Sequence, residues 1–140
     1  MNPSKFIVPD AVLTSLKAKN KMQLLQELSV PAARLTGLTE RDIFDVLWQR
    51  ERLGSTGLGS GIAIPHVKLA GIPAITCLFA RLATAVPFES NDDQPVDLVF
   101  FLLAPEHAGG DHLKALARIS RLVREPATLE LLRNAKDESA

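Results

Sequence analysis

The sequence contains no tyrosine, a single tryptophan (Trp48) and a single cysteine (Cys77). One cysteine cannot form an internal disulfide, so the expected setting is a reducing cytoplasm. Charge of one sign is not in excess, because 16 lysines and arginines face 16 aspartates and glutamates. A nucleic-acid binder would usually carry a basic surplus, so nucleic acid is not an expected partner. No apolar run approaches the roughly 18 residues that cross a bilayer. The longest, Leu98 to Ala104, suits a buried strand, and insertion into a membrane is not expected. The opening residues, MNPSKFIVPD, lack the apolar core of a signal peptide. Three motifs are also missing: the P-loop, the G-x-G-x-x-G dinucleotide turn and the G-x-S-x-G nucleophile elbow. No internal repeat, low-complexity tract or linker breaks the chain.

What remains is 140 residues with 46% hydrophobic content, enough for a core and suited to one domain over residues 1–140. Residues 6–16 read as a short strand or extended lead-in. Asn20 and Gln23 resemble a capping pair, and Met22, Leu24, Leu25 and Leu28 then recur at helical spacing. Pro31 is expected to end or kink this helix, and Gly37 to break it. Thr39 caps a second helix with Glu40 and Asp42 in its first turn and Ile43, Val46 and Leu47 on its apolar face. The glycines from Gly54 to Gly61 exclude helix, and Ile62 to Ile64 are strand-like. Residues 74–82 and 96–104 read as strands, the second buried on both faces, with a turn over 89–95 and a loop at 105–110. Asp111 is expected to cap a helix over 112–124 whose core face carries Leu113, Leu116, Ile119 and Val123, before a last short helix over 127–134. Helices and strands intermix, which predicts an α/β fold with a mostly buried sheet.

Chemistry concentrates in the stretch LGSTGLGSGIAIPHVK, Leu53 to Lys68. Glycines leave backbone amides uncovered and let another molecule approach closely. Pro65 fixes φ ahead of His66. An imidazole held in this way suits nucleophilic attack on phosphorus near neutral pH. It would equally suit a histidine that only finishes a strand with its hydrogen bonds satisfied. His112 follows the expected cap Asp111, at a helix N-terminus where anions are favoured. Arg50 stands three after Leu47 and four after Val46, on the apolar side of its helix. It either snorkels or aims a phosphate-matching guanidinium into a cleft. His107 and His112, with Glu106 and Asp111 beside them, match no metal-ligand spacing, so no metal is expected. The acidic ESNDD segment reads as a solvated turn.

Three segments, RERLGSTGLGSGIAIPH, PFESNDDQPVDLVFFLLAP and DHLKALARISRLV, closely resemble the IIA components of the phosphotransferase system of the fructose/mannitol class. The nearest likeness is to the nitrogen-regulatory branch, and it runs over residues 6–135. The resemblance implies a single domain with a mixed β-sheet flanked by helices, acting as a phosphotransferase. It implies that His66 is the phosphoryl acceptor, His112 an assisting hydrogen-bond donor and Arg50 a stabilising positive charge. It implies a phosphorylated HPr-like protein as donor, a regulated target protein as partner, and no cofactor. A free-standing component serving a sugar permease, or a binding module without transfer, are the alternatives. The family usually has glycine after the active histidine, where this chain has Val67. Valine is stiff and disfavours positive φ, so the departure bears on the backbone beside His66.

Overall fold

The longest apolar stretch of the sequence forms the central strand. The structure, a computed structural model, describes residues 12–54, 56–59, 61–72, 75–88, 94–106 and 111–134. The described elements are β1 (Val12–Leu16), α1 (Lys21–Thr36), α2 (Glu40–Leu53), β2 (Gly57–Gly59), β3 (Ile62–Ala63), β4 (His66–Leu69), β5 (Thr76–Val86), β6 (Val96–Pro105), α3 (Asp111–Leu122) and α4 (Pro126–Asn134). They build one mixed sheet in the order β1-β5-β6-β3-β2, with β4 also paired to β6. The expected turn over 89–95 lies mostly outside the described residues, as do most of the loop at 105–110 and the lead-in before residue 12.

β6 sits in the middle because its residues are apolar on both sides. Val99, Phe101 and Leu103 join one core cluster with Leu24, Leu28, Ile43 and Leu47 from α1 and α2. Leu98, Phe100 and Leu102 join a second with Ala115, Ile119 and Val123 from α3 and Leu129 from α4. Side chains alternate along a strand, so a continuous apolar run feeds both layers at once. The result is a sheet between two helical layers, α1 and α2 on one face and α3 and α4 on the other.

The helix boundaries follow local chemistry. The Asn20 side chain accepts a hydrogen bond from the Gln23 amide at 2.8 Å, and the Gln23 side chain accepts from the Lys19 amide at 2.7 Å. Thr39 Oγ1 accepts from the Asp42 amide at 3.2 Å to start α2. Gly37 ends α1 with φ 79°, its N–H donating to the Ala33 carbonyl. Pro31 does not end the helix, because α1 runs through it to Thr36. Proline in a helix interior loses one amide bond and costs about 3 kcal/mol. Here Pro31 is one of the buried residues of α1, and that apolar burial opposes the loss.

Two further expectations need correction. α3 starts at Asp111 itself and ends at Leu122, and Leu113 is not on its core face but 56% exposed. The buried stripe is Ala115, Ile119 and Val123, at four-residue spacing, which turns Leu113 outwards. The strand β4 was not expected at all, because Ile-Pro-His breaks the apparent pattern.

Candidate functional site

β3 and β4 are two pieces of one path along the same edge of β6. Ile62 pairs with Leu98 and Ala63 with Val99, and then His66 pairs with Leu102 and Val67 with Leu103. The register offset stays constant across the gap. Pro65 interrupts the ladder only because it has no N–H to donate, and its carbonyl still accepts from the Leu102 amide at 2.9 Å. Alternation along this path puts His66 on the same side as Ile62 and Ile64, the face that α3 and α4 cover. Ala63 and Val67 take the opposite side and enter the other core cluster.

His66 is half-buried, and its Nδ1 lies 3.1 Å from the Ile64 carbonyl oxygen. A carbonyl can only accept, so Nδ1 carries the proton in this contact and Nε2 keeps the lone pair. This hydrogen bond therefore orients the ring and selects its tautomer. Val67, 6% exposed, is a core residue in extended backbone, where valine is at ease. Its methyls pack inwards rather than over His66.

The approach to His66 is a short hairpin. Gly57 pairs with Ala63 and Gly59 with Ile62 in antiparallel sense. Gly61 has φ 81°, and a Cβ there would stand 2.6 Å from Asp97 Oδ1 and 2.5 Å from Arg133 Nη2. Asp97 and Arg133 form a double hydrogen bond, 2.9 Å at each contact, that ties α4 to β6 across this glycine. A groove of about 610 Å³ runs on the same face between the hairpin and α3 and α4, lined by Leu58, Ile62, Ser120, Val123 and Arg124 among others. His66 is not part of its wall.

Arg50 lies in the last turn of α2, in the other helical layer, and its Nη1 donates to the Gly54 carbonyl at 2.9 Å. It thus fastens the start of the glycine segment. α2 also packs against β4, the strand that His66 opens. His112 is the second residue of α3, and α3 packs on β6, whose Leu102 is the register partner of His66. Its helix therefore belongs to the face His66 occupies. His107 lies outside the described residues.

Sequence reasoning missed the groups beneath the hairpin. Glu51 is 5% exposed, and both of its carboxylate oxygens are engaged. Thr56 donates its hydroxyl to Oε1 and its amide, at 3.3 Å, to Oε2. Lys21 Nζ stands 2.9 Å from Oε2 and 4.5 Å from the centroid of the Phe88 ring. A glutamate in the last turn of a helix ordinarily reads as solvated, and nothing in the sequence spacing announces its burial. Cys77, buried in β5, has its thiol pushed up to about 12 by desolvation. It is a packing residue rather than a nucleophile.

Residues 5–140 match the family described as phosphoenolpyruvate-dependent sugar phosphotransferase system, EIIA 2. A nitrogen regulatory protein from Bradyrhizobium diazoefficiens is 56% identical over 134 residues, 96% of this chain and 88% of that protein. The fructose-specific EIIABC component of Bacillus subtilis is 32% identical over 141 residues, covering 100% of this chain and 22% of that protein. The crystal structure of nitrogen regulatory protein IIA-Ntr from Neisseria meningitidis matches with a TM-score of 0.93 at 33% identity, covering 98% of this chain and 94% of that one.

Proposed function

The chain belongs to the EIIA 2 family of the phosphotransferase system, and on that premise we propose that it is a nitrogen-regulatory phosphoryl carrier whose acceptor is Nε2 of His66. The observation that carries this reading is the contact between Nδ1 and the Ile64 carbonyl, which leaves the lone pair on the other nitrogen.

The donor is a phosphorylated HPr-like protein. A P–N bond forms at Nε2 as the donor's P–N bond breaks, and the electron pair returns to the donor's imidazole nitrogen. The His66 ring gains positive character, and the Nδ1–H bond to Ile64 strengthens with it. A hydrogen bond to a charged group is worth about 1.5–3 kcal/mol. Exchange between two histidines is close to balanced in energy, so alignment is what the protein must supply, and no metal or cofactor is needed. His112 donates to a phosphoryl oxygen from the first turn of α3, where the helix dipole also favours negative charge. Arg50 adds positive charge from the end of α2. The phosphorylated and free forms then differ in charge at the half-buried His66, and a target protein is regulated by reading that difference.

Incubation with enzyme I, an HPr-like protein and phosphoenolpyruvate tests the reading. Acid-labile phosphate on the wild-type chain and none on a folded His66→Ala chain is the expected result. Incorporation into His66→Ala would refute it. The likeness to a fructose-specific component favours a second reading, in which the phosphoryl group passes on to a sugar permease. Rapid discharge of the phosphorylated chain by a fructose-type IIB domain would support that alternative.

A further inference from the structure

A continuous line of polar contacts runs from the first residue of α1 to the His66 ring. Lys21 Nζ pairs with Glu51 Oε2 at 2.9 Å, their side chains 12% and 1% exposed. Glu51 holds the amide and the hydroxyl of Thr56. The Thr56 carbonyl accepts from the Ile64 amide at 3.1 Å. The Ile64 carbonyl in turn takes the Nδ1 proton of His66. Thr56 is thus gripped through three of its groups, between glycines that would otherwise leave the segment free.

We infer that Glu51 and Thr56 are positioning residues that fix the Ile64 peptide, and through it the tautomer and aim of His66. The physical reason is the placement of the charge. A carboxylate taken out of water is tolerated only when its oxygens are satisfied, and here two are satisfied by one residue, Thr56, and by Lys21. Such a group holds its partner in one arrangement, because any other leaves a buried charge short of a bond. The chain beneath a phosphoryl acceptor needs this, since a misplacement of about 1 Å can cost roughly a hundredfold in rate. The inference rests on His66 being the acceptor.

The test uses the full chain, with nitrogen NMR of the labelled His66 ring and the rate of transfer from a phosphorylated HPr-like donor. Thr56→Val removes the hydroxyl at nearly constant volume, and Thr56→Ser keeps it. In Thr56→Val the fraction of ring protonated at Nδ1 is expected to fall, and the transfer rate at saturating donor to drop about tenfold to a hundredfold. Donor concentration dependence should not change, and Thr56→Ser should restore both readings. Glu51→Gln should move them in the same direction, and Lys21→Met by less. A folded Thr56→Val or Glu51→Gln chain with wild-type tautomer and rate would overturn the inference. If neither folds, Lys21→Met decides, and wild-type readings in it overturn the inference equally. The tautomer measurement needs no donor. A wild type that takes no phosphate on His66 would therefore defeat the functional reading while leaving the positioning of the ring separately tested.

Discussion

Val67 stands where the family resemblance implies a glycine, and its burial decides what that means. The side chain enters the α1–α2 core from the strand that His66 opens, on the side away from the imidazole. Val67→Gly should therefore lower the free energy of unfolding by about 2–3 kcal/mol, from lost apolar burial and added chain freedom. Donor kinetics should stay unchanged. A changed dependence on donor concentration, measured beside a denaturant melt, would show that residue 67 meets the partner after all. His112→Ala is expected to slow transfer by roughly tenfold to a few hundredfold while leaving His66 phosphorylatable, the loss of one hydrogen bond to a charged group. Stopped-time sampling of phosphorylated protein measures this, and an unchanged rate would remove His112 from the site. His66 could be singled out from the sequence as a candidate, because proline and glycine advertise an unusual backbone and the family resemblance points to it. Its partner could not, since a carbonyl two residues back has no signature in residue types. Glu51 was equally hidden, for its burial depends on Lys21 arriving from another helix.

At the scale of elements, Gly37 and Gly61, two of the four described glycines with positive φ, make a contrast that geometry ranks. Gly37 has φ 79° with open space where a Cβ would go, so Gly37→Ala should cost only the backbone strain, about 1–2 kcal/mol. Gly61→Ala meets the same strain and must also displace the Asp97–Arg133 pair. That pair is partly exposed, side chains 36% and 30% accessible, so its loss adds at most about 1 kcal/mol. Thermal unfolding should rank Gly61→Ala below Gly37→Ala, and the reverse order would mean that α4 is not anchored through Asp97. The capping residues of α1 and α2 were legible because Asn20 and Thr39 act within three residues of themselves. β4 was not, because its strand character comes from pairing with β6, thirty-six positions ahead in register. Leu113 was misplaced for a related reason. Helical spacing fits more than one apolar stripe, and the sheet selects the one through Ala115.

For the whole molecule, the two-sided strand β6 was the clearest message in the sequence, and the sandwich of sheet between helical layers follows from it. Cys77 reports on the integrity of that sandwich. Its thiol is raised from 9.0 to about 12 by burial, so the native state keeps the proton that the unfolded chain gives up. The contribution to stability is complete below about pH 9 and is lost as pH rises from there towards about 12. Thiol-reactive probes at pH 8 should label Cys77 only as fast as the sheet opens, and immediate labelling of native protein would show that β5 is less enclosed than its burial implies. The central claim joins this fold to its chemistry: the sheet delivers His66 with Nδ1 occupied and Nε2 available. Nitrogen–phosphorus NMR on histidine-labelled, phosphorylated protein tests it most directly. The account predicts one phosphoramidate, coupled to Nε2 of His66, with the Nδ1 proton retained. Phosphorus coupled to Nδ1, or to a different histidine, would contradict it.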